Sequence, residues 1–325
     1  MAQVIRIHET GGPEVLRIED MDPTPPGDHE VLIRQHAIGV NFIDIYHRTG
    51  LYKLLSYPIG LGLEAAGVIE QAGKAVTGFK PGDRVAYVGG PVGAYAVYRT
   101  IPAKHVVALP DGVSFDQAAA GMLKGITAHF LLTHIYKVAP GDTIVIHAAA
   151  GGVGLLVCQM AKQIGATVIG TVSTEEKAEL ARANGCDHPI LYTRDDIVAK
   201  VREITQGQGA DVVYDSVGQS TYMQSLDCLK RFGMLVCFGQ SSGPIPPFDI
   251  SLLAQKGSLY LCRPSLMHYI EDTERYATSA ATLFNLMEKN IISVRIGGTY
   301  PLENVKQAHI DLESRKTTGA LVLTV

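Results

Sequence analysis

Ile144-Val145-Ile146-His147-Ala148-Ala149-Ala150-Gly151-Gly152-Val153-Gly154 decides the fold: an apolar, β-branched run enters a turn of small residues and leaves it with helical spacing. Ala149, Gly151 and Gly154 fall at the three positions of a dinucleotide-binding fingerprint, with Ala replacing the first Gly. A diphosphate reaches the main chain only where no Cβ intervenes, and amides at a helix N-terminus, where the dipole favours negative charge, hold it there. Gly151 and Gly152 permit that approach, and Ala150 and Val153 flank them in the predicted cradle.

Working outward, Val153, Leu156, Val157, Met160, Ala161 and Ile164 recur at helical spacing, so one face packs on a sheet while Lys162 and Gln163 face water. Gly165 fits the position that ends such a helix. Ala166 to Thr171 then reads as a second parallel strand, completing a βαβ unit of roughly thirty residues. A Gly-rich turn alone is often a plain connection; here strand, helix and strand agree with it.

About twenty positions past such a turn, a carboxylate accepts from a ribose 2′-OH and repels a 2′-phosphate, which selects the nicotinamide cofactor. Thr171, Ser173 and Thr174 stand there instead, and Lys177 follows within a turn, so the pattern favours NADPH. Glu175 and Glu176 fit the first turn of a helix capped by Thr174, where acids offset the dipole. Lys177 has the alternative of serving only as their solvated partner.

A chain of 325 residues exceeds a usual single core and predicts two domains. Its 46% hydrophobic and 18% charged residues match an ordinary soluble enzyme. A net charge of -4 with no long basic run argues against nucleic acid as the main partner. Met1 to Arg6 lacks an apolar signal-like core and no stretch approaches the ~18 apolar residues of a membrane span, so a cytoplasmic location is expected. The five Cys, at 158, 186, 228, 237 and 262, read as buried small hydrophobes, and the 11 His as ordinary core or surface residues.

The first 123 residues are β-rich, with strands expected at Val4 to His8, Val15 to Ile18, Val31 to Val40, Ala65 to Ile69, Arg84 to Val88, Tyr95 to Ile101 and Val106 to Leu109. Turns such as Pro23 to Gly27 and Lys80 to Asp83 separate them, and a partly closed barrel is predicted. Ser114 with Gln117 reads as a capping box opening a helix, and Leu123 to Tyr136 as a longer helix. Helices at Asp196 to Thr205 and Thr221 to Arg231 alternate with strands at Asp211 to Asp215, Met234 to Phe238 and Ser258 to Cys262, a doubly wound α/β pattern. Helices at Tyr269 to Lys289 and Glu303 to Ser314 and a strand at Ala320 to Val325 form a tail that returns to the first domain.

Gly11 to Leu16, Gly39-Val40-Asn41-Phe42-Ile43-Asp44, Arg48 to Tyr52, Gly62-Leu63-Glu64-Ala65-Ala66-Gly67, His147 to Gly154 and Tyr214 to Gly218 together resemble the medium-chain dehydrogenase/reductase superfamily, and within it the zeta-crystallin type of NADPH:quinone oxidoreductase. The resemblance implies a GroES-like β-rich barrel domain over 1–123 with a return over 264–325, and a Rossmann doubly wound parallel sheet over 124–263. Zinc alcohol dehydrogenases of the superfamily carry a His just before the Glu of the Gly-x-Glu-x-x-Gly segment and a Cys near the place of Asn41. Leu63 and Asn41 stand at those places and no Cys precedes Cys158, so a metal-free enzyme is expected.

Without a metal to polarise an alkoxide, the chemistry left is hydride donation to an acceptor activated by its own electronics, a quinone or an electron-poor enone. The resemblance implies that Asn41, Tyr46 and Tyr52 hold the acceptor carbonyl. Asn41 has the alternative of a simple N-cap before Phe42 to Arg48, and the two tyrosines of barrel packing. Lys124 and Thr127 resemble family residues beside the nicotinamide. Tyr192 is expected to join Ser173 and Lys177 at the adenosine phosphate, and Ser216, Val217, Phe238, Gly239, Gln240, Ser241, Arg263, Pro264, Ser265 and Arg315 to border the rest of the cofactor. An enoyl or alkenal reductase is the enzymatic alternative; a nucleotide-bound structural or RNA-binding protein is disfavoured by the acidic balance. The strand at Ser258 to Cys262 offers an edge for a homodimer.

Overall fold

The computed structural model describes residues 1–325, which divide into two units, Met1–Ile126 with Ile270–Val325, and Thr127–Tyr269. The first contains β1 (Ala2–Ile7), β2 (Arg17–Met21), β3 (Glu30–Val40), α1 (Phe42–Arg48), β4 (Ile59–Gly60), β5 (Glu64–Ala72), β6 (Arg84–Val88), β7 (Tyr98–Pro102), β8 (Val106–Ala108) and most of α2 (Phe115–Phe130). The second carries β9 (Thr143–Ile146), α3 (Gly152–Ile164), β10 (Thr167–Val172), α4 (Glu175–Ala183), β11 (His188–Leu191), α5 (Ile197–Ile204), β12 (Ala210–Asp215), α6 (Tyr222–Asp227), β13 (Leu229–Cys237), α7 (Ser251–Gln255), β14 (Tyr260–Cys262) and most of α8 (Leu266–Ile270). The first resumes with α9 (Thr273–Glu288), β15 (Ile296–Pro301), α10 (Val305–Glu313) and β16 (Ala320–Thr324).

In the first unit β3 is long enough to serve two partners on one edge: Glu30 to Arg34 pair with β7, and Ala37 to Val40 with β16, while β5 pairs along the other edge. The sheet runs β15-β16-β3-β5-β6-β8, so the C-terminal strands complete the β-rich unit. Ile5, Ile33, Ile38, Tyr87, Tyr95, Leu321 and Leu323 are fully buried in its core. The second unit is a parallel six-stranded sheet in the order β11-β10-β9-β12-β13-β14. Order reverses between β9 and β12, the crevice where doubly wound sheets take their ligands. Val145, Ile169, Ile190, Val213 and Leu235 form its core.

Several element boundaries differ from expectation. The two helices predicted near residue 120 are one helix, α2, opened by the reciprocal Ser114 and Gln117 hydrogen bonds and ending in a π-helical turn at Leu131–Ile135. The helix predicted over Tyr269 to Lys289 is interrupted because the Asp272 side chain accepts from Arg275 N–H and caps α9 afresh. Val15 closes a short 3-10 turn begun at Pro13, and the strand starts at Arg17. The helix predicted to reach Arg231 stops at Asp227, because Leu229 already pairs with Ala210 in the sheet. The division between units follows Ile126 and Tyr269, so Lys124 belongs to the first unit rather than to the 124–263 segment. All five cysteines are free thiols; Cys262 is only half-buried, and the hydrogen bond with the neighbouring Cys186 thiol, with burial, pushes the Cys158 thiol up.

Candidate functional site

The turn between β9 and α3 is bare of capping side chains. Gly151 is the N-cap in an extended conformation, and the first intrahelical bond is Leu155 N–H to Gly151 O at 2.9 Å. The amides of Gly152, Val153 and Gly154 therefore have no intrahelical partner, the arrangement an anion needs. A Cβ on Gly154 would lie 2.3 Å from Ala148 O, so only glycine lets helix and strand approach this closely. Ala in the first fingerprint position is accommodated by Gly170 on β10, where a Cβ would meet Ala149 Cβ at 2.6 Å. These features fit a dinucleotide pyrophosphate.

The other cofactor-side candidates lie just past the carboxyl ends of the parallel strands. Tyr192 N–H donates to Val172 O at 3.1 Å and Thr193 Oγ1 to Ser173 O at 3.1 Å, which ties the ends of β10 and β11 together. Lys177 sits in the first turn of α4, its main-chain N–H donating to the Thr174 cap, and partial burial lowers its ammonium pKa. Glu175 pairs with Arg194 at 3.4 Å and Glu176 bonds Thr174, so both acids already have partners other than Lys177. The Asp215 carboxylate accepts from Val217 N–H, Gly218 N–H, Thr221 Oγ1 and Ser225 Oγ at 2.8 to 2.9 Å and fixes the Ser216 to Gly218 turn. Ser241 N–H donates to Ser216 O at 3.2 Å, Phe238 N–H to Asp215 O at 2.9 Å, and Arg263 Nη1 to Cys237 O at 3.0 Å. Ser216, Val217, Phe238, Gly239, Gln240, Ser241 and Arg263 thus form one hydrogen-bonded rim, with Pro264 and Ser265 following Arg263. Beneath it His147 is buried between Thr171 Oγ1 and Ser225 Oγ, both at 2.9 Å, and burial lowers its pKa: a core residue, as expected.

In the first unit Asn41 precedes α1 and its side chain joins a buried cluster. Lys124 Nζ donates to Asn41 Oδ1 at 2.6 Å and to Glu64 Oε1 at 3.0 Å, Asn41 Nδ2 donates to the same Glu64 oxygen at 2.7 Å, and Leu123 N–H to Glu64 Oε2 at 2.6 Å. Gly39 makes room, since a Cβ there would stand 2.1 Å from Glu64 Oε1. The ammonium leaves Asn41 no choice of rotamer: Oδ1 must face Lys124, so one Nδ2 hydrogen goes to Glu64 and the second remains for another acceptor. Asn41 is also the N-cap proposed as its alternative role, its main-chain N–H donating to Asp44 Oδ2 at 2.8 Å.

Tyr46 and Tyr52 meet edge to face with ring centroids 5.2 Å apart, Tyr46 on α1 and Tyr52 in the loop after it. Thr127 lies in α2 within the second unit, and Arg315 occupies the turn after α10 in a left-handed backbone conformation, φ 59°. Sequence reasoning missed Glu64 and Asp44 as site residues, together with a buried chain behind them: Tyr95 to Asp44 Oδ2 at 2.8 Å, Tyr95 to His309 Nε2 at 3.0 Å, and Arg48 Nη1 to His309 Nδ1 at 3.1 Å. Glu64 stood inside the Gly62 to Gly67 segment, and Asp44 three residues after Asn41, the spacing of a capping box.

Two family models match: an alcohol dehydrogenase GroES-like domain over residues 27–111 and a zinc-binding dehydrogenase over 152–283. The chain is 48% identical over 323 residues to a quinone oxidoreductase of Pseudomonas aeruginosa, and 43% identical over 329 to a 2-haloacrylate reductase of Burkholderia, with 99% of each chain covered. The crystal structure of Escherichia coli quinone oxidoreductase complexed with NADPH superposes with a TM-score of 0.98 at 45% identity over 100% of both chains. The residues here do not fit the zinc of the second family description: no three His, Cys, Asp or Glu side chains group together, and Glu64 already meets a cation in Lys124. The chain belongs to the quinone oxidoreductase family of the medium-chain dehydrogenase/reductase superfamily.

Proposed function

We propose that this protein reduces quinones with NADPH and needs no metal. The observation that carries the reading is the Asn41 amide, locked by Lys124 so that its remaining Nδ2 hydrogen is a donor for an acceptor carbonyl. NADPH supplies the hydride. The amides of Gly152, Val153 and Gly154, after Ala150 and Gly151, hold its pyrophosphate, and Ser173, Lys177 and Tyr192 its 2′-phosphate. Ser216, Val217, Phe238, Gly239, Gln240, Ser241, Arg263, Pro264 and Ser265 line the strand ends it follows; Thr127 and Arg315 complete its set. Asn41, Tyr46 and Tyr52 hold the acceptor, and solvent protonates the reduced oxygen. The similarity to an NADPH-bound relative supports the donor, and the quinone oxidoreductases at 45 to 48% identity support the acceptor. Purified protein mixed with a benzoquinone or naphthoquinone is expected to oxidise NADPH far faster than NADH; no turnover across a quinone panel would reject the reading.

An alkenal or enoate reductase is the second reading, favoured by one observation. Reducing a carbon–carbon double bond requires a proton on carbon, and the buried Lys124 ammonium is a held proton beside Asn41. A relative named 2-haloacrylate reductase is consistent with it. Parallel turnover with an enone and a quinone separates the two.

We further infer a homodimer through β14, the edge of the six-stranded sheet, where Tyr260 and Leu261 are 57% and 40% exposed. A cytoplasmic location is consistent with five free thiols and with no helix long and apolar enough to cross a membrane.

A further inference from the structure

Asp44 stands apart from the other carboxylates of the first unit. It is fully buried, both donors that reach it, Asn41 N–H and Tyr95 Oη–H, go to Oδ2, and Oδ1 has no partner at all. The donors behind it can be assigned. Arg48 has only hydrogens to offer, so His309 Nδ1 accepts from it at 3.1 Å; His309 Nε2 then carries the ring proton and donates to Tyr95 Oη, whose own hydrogen goes to Asp44. His309 is therefore a neutral imidazole, and burial beside the Arg48 guanidinium pushes its pKa down to about 3.

The charges facing Asp44 do not favour an anion. From β5 comes the Glu64 carboxylate, from α2 the Lys124 ammonium that Glu64 already pairs with at 3.0 Å, and from α1 itself, one turn on, the Arg48 guanidinium, which is paired with Glu313 of α10 at 2.8 Å and is linked to Asp44 by hydrogen bonds only through His309 and Tyr95. A bare carboxylate oxygen in this setting costs far more desolvation than a bare hydroxyl. Asn41 lies between the two carboxyl groups, its main-chain N–H on Asp44 and its side chain on Glu64.

We propose that Asp44 is held as a neutral acid with its proton on Oδ1, and that this neutrality makes it a positioning residue, leaving Lys124 and Glu64 as the single charge pair that orients Asn41. Burial, opposed by the Tyr95 and Asn41 hydrogen bonds, raises the Asp44 pKa to about 7. The inference reaches beyond the reductase reading, on which only its kinetic arm rests.

The test compares the parent with Asp44→Asn, whose carboxamide copies the neutral acid. A raised folded-state pKa gives stability that is complete below the unfolded value of 3.8 and lost as pH rises to about 7. The Tm of Asp44→Asn should gain on the parent's between pH 5 and 7, with the gap levelling above 7. In turnover, the acceptor KM of the parent should rise above pH 7 while that of the variant stays flat. Infrared spectra of the parent alone should show a protonated carboxyl band at pH 6 that disappears by pH 9, a measurement independent of how the variant folds. A Tm gap constant across pH 5 to 9, or no protonated carboxyl at pH 6, overturns the proposal. If no quinone is turned over, the reductase reading fails while the Tm and infrared arms still decide this one.

Discussion

Replacing Lys124 with Met should expose how much rests on one buried ion pair. The side chains of Lys124 and Glu64 are 8% and 0% exposed and meet at 3.0 Å. At an effective dielectric of ~20 two unit charges at that distance attract by roughly 5 kcal/mol, a gross figure from which the desolvation of both groups must be subtracted. Removing one partner leaves the other charged, buried and unpaired, which typically costs about 3 to 5 kcal/mol. Lys124→Met alone should lose about that much, Glu64→Gln alone a similar amount, and the double variant much less than their sum, because Met and Gln leave no stranded charge. Since the chain has no Trp, urea unfolding is best followed by far-UV circular dichroism. A coupling energy below about 1 kcal/mol, the value of an exposed pair, would refute the claim that this cluster is an electrostatic unit.

Lys177→Ala should raise KM for NADPH by about tenfold or more, the loss of a charge-assisted bond worth ~1.5 to 3 kcal/mol, and leave KM for NADH unchanged; equal effects on both would remove Lys177 from the phosphate site. Gly154→Val should cost about 1 to 3 kcal/mol and weaken dinucleotide binding, measured by fluorescence titration with NADPH, because its Cβ has only 2.3 Å to Ala148 O. His309→Gln should change the acid limb of stability: a pKa lowered to about 3 gives stability present above 6.5 and lost as pH falls toward 3, so the variant's Tm should fall less than the parent's over that window. Leu261→Lys should yield a monomer by light scattering if β14 forms the dimer edge, and an unchanged mass would place the contact elsewhere.

The Rossmann half was legible because its signals are local. The β-branched run, the small-residue turn, the helical period ending at Gly165, and Thr174 as a cap all lie within a few residues of the features they specify. β15 escaped notice because Gly297 and Gly298 interrupt any alternating pattern; the strand exists through its parallel pairing with β16. The fingerprint's missing Gly had a non-local explanation, in Gly170 on the neighbouring strand. Asn41 was visible as a candidate, yet its orientation depends on Lys124, 83 positions away, and on Glu64, 23 away. His309 joins Arg48 across 261 positions, and no local pattern marks such a pair. Periodicity and capping read well from sequence; buried polar networks follow only from the fold.

The central claim, a metal-free reductase that takes its hydride from NADPH and gives it to a quinone, is tested most directly by one activity matrix of two cofactors against quinone and enone acceptors, run with and without a chelator. The account predicts rapid oxidation of NADPH by quinones, slow oxidation of NADH, and no effect of the chelator. Absence of NADPH oxidation with every quinone, or loss of activity on chelation, would contradict it.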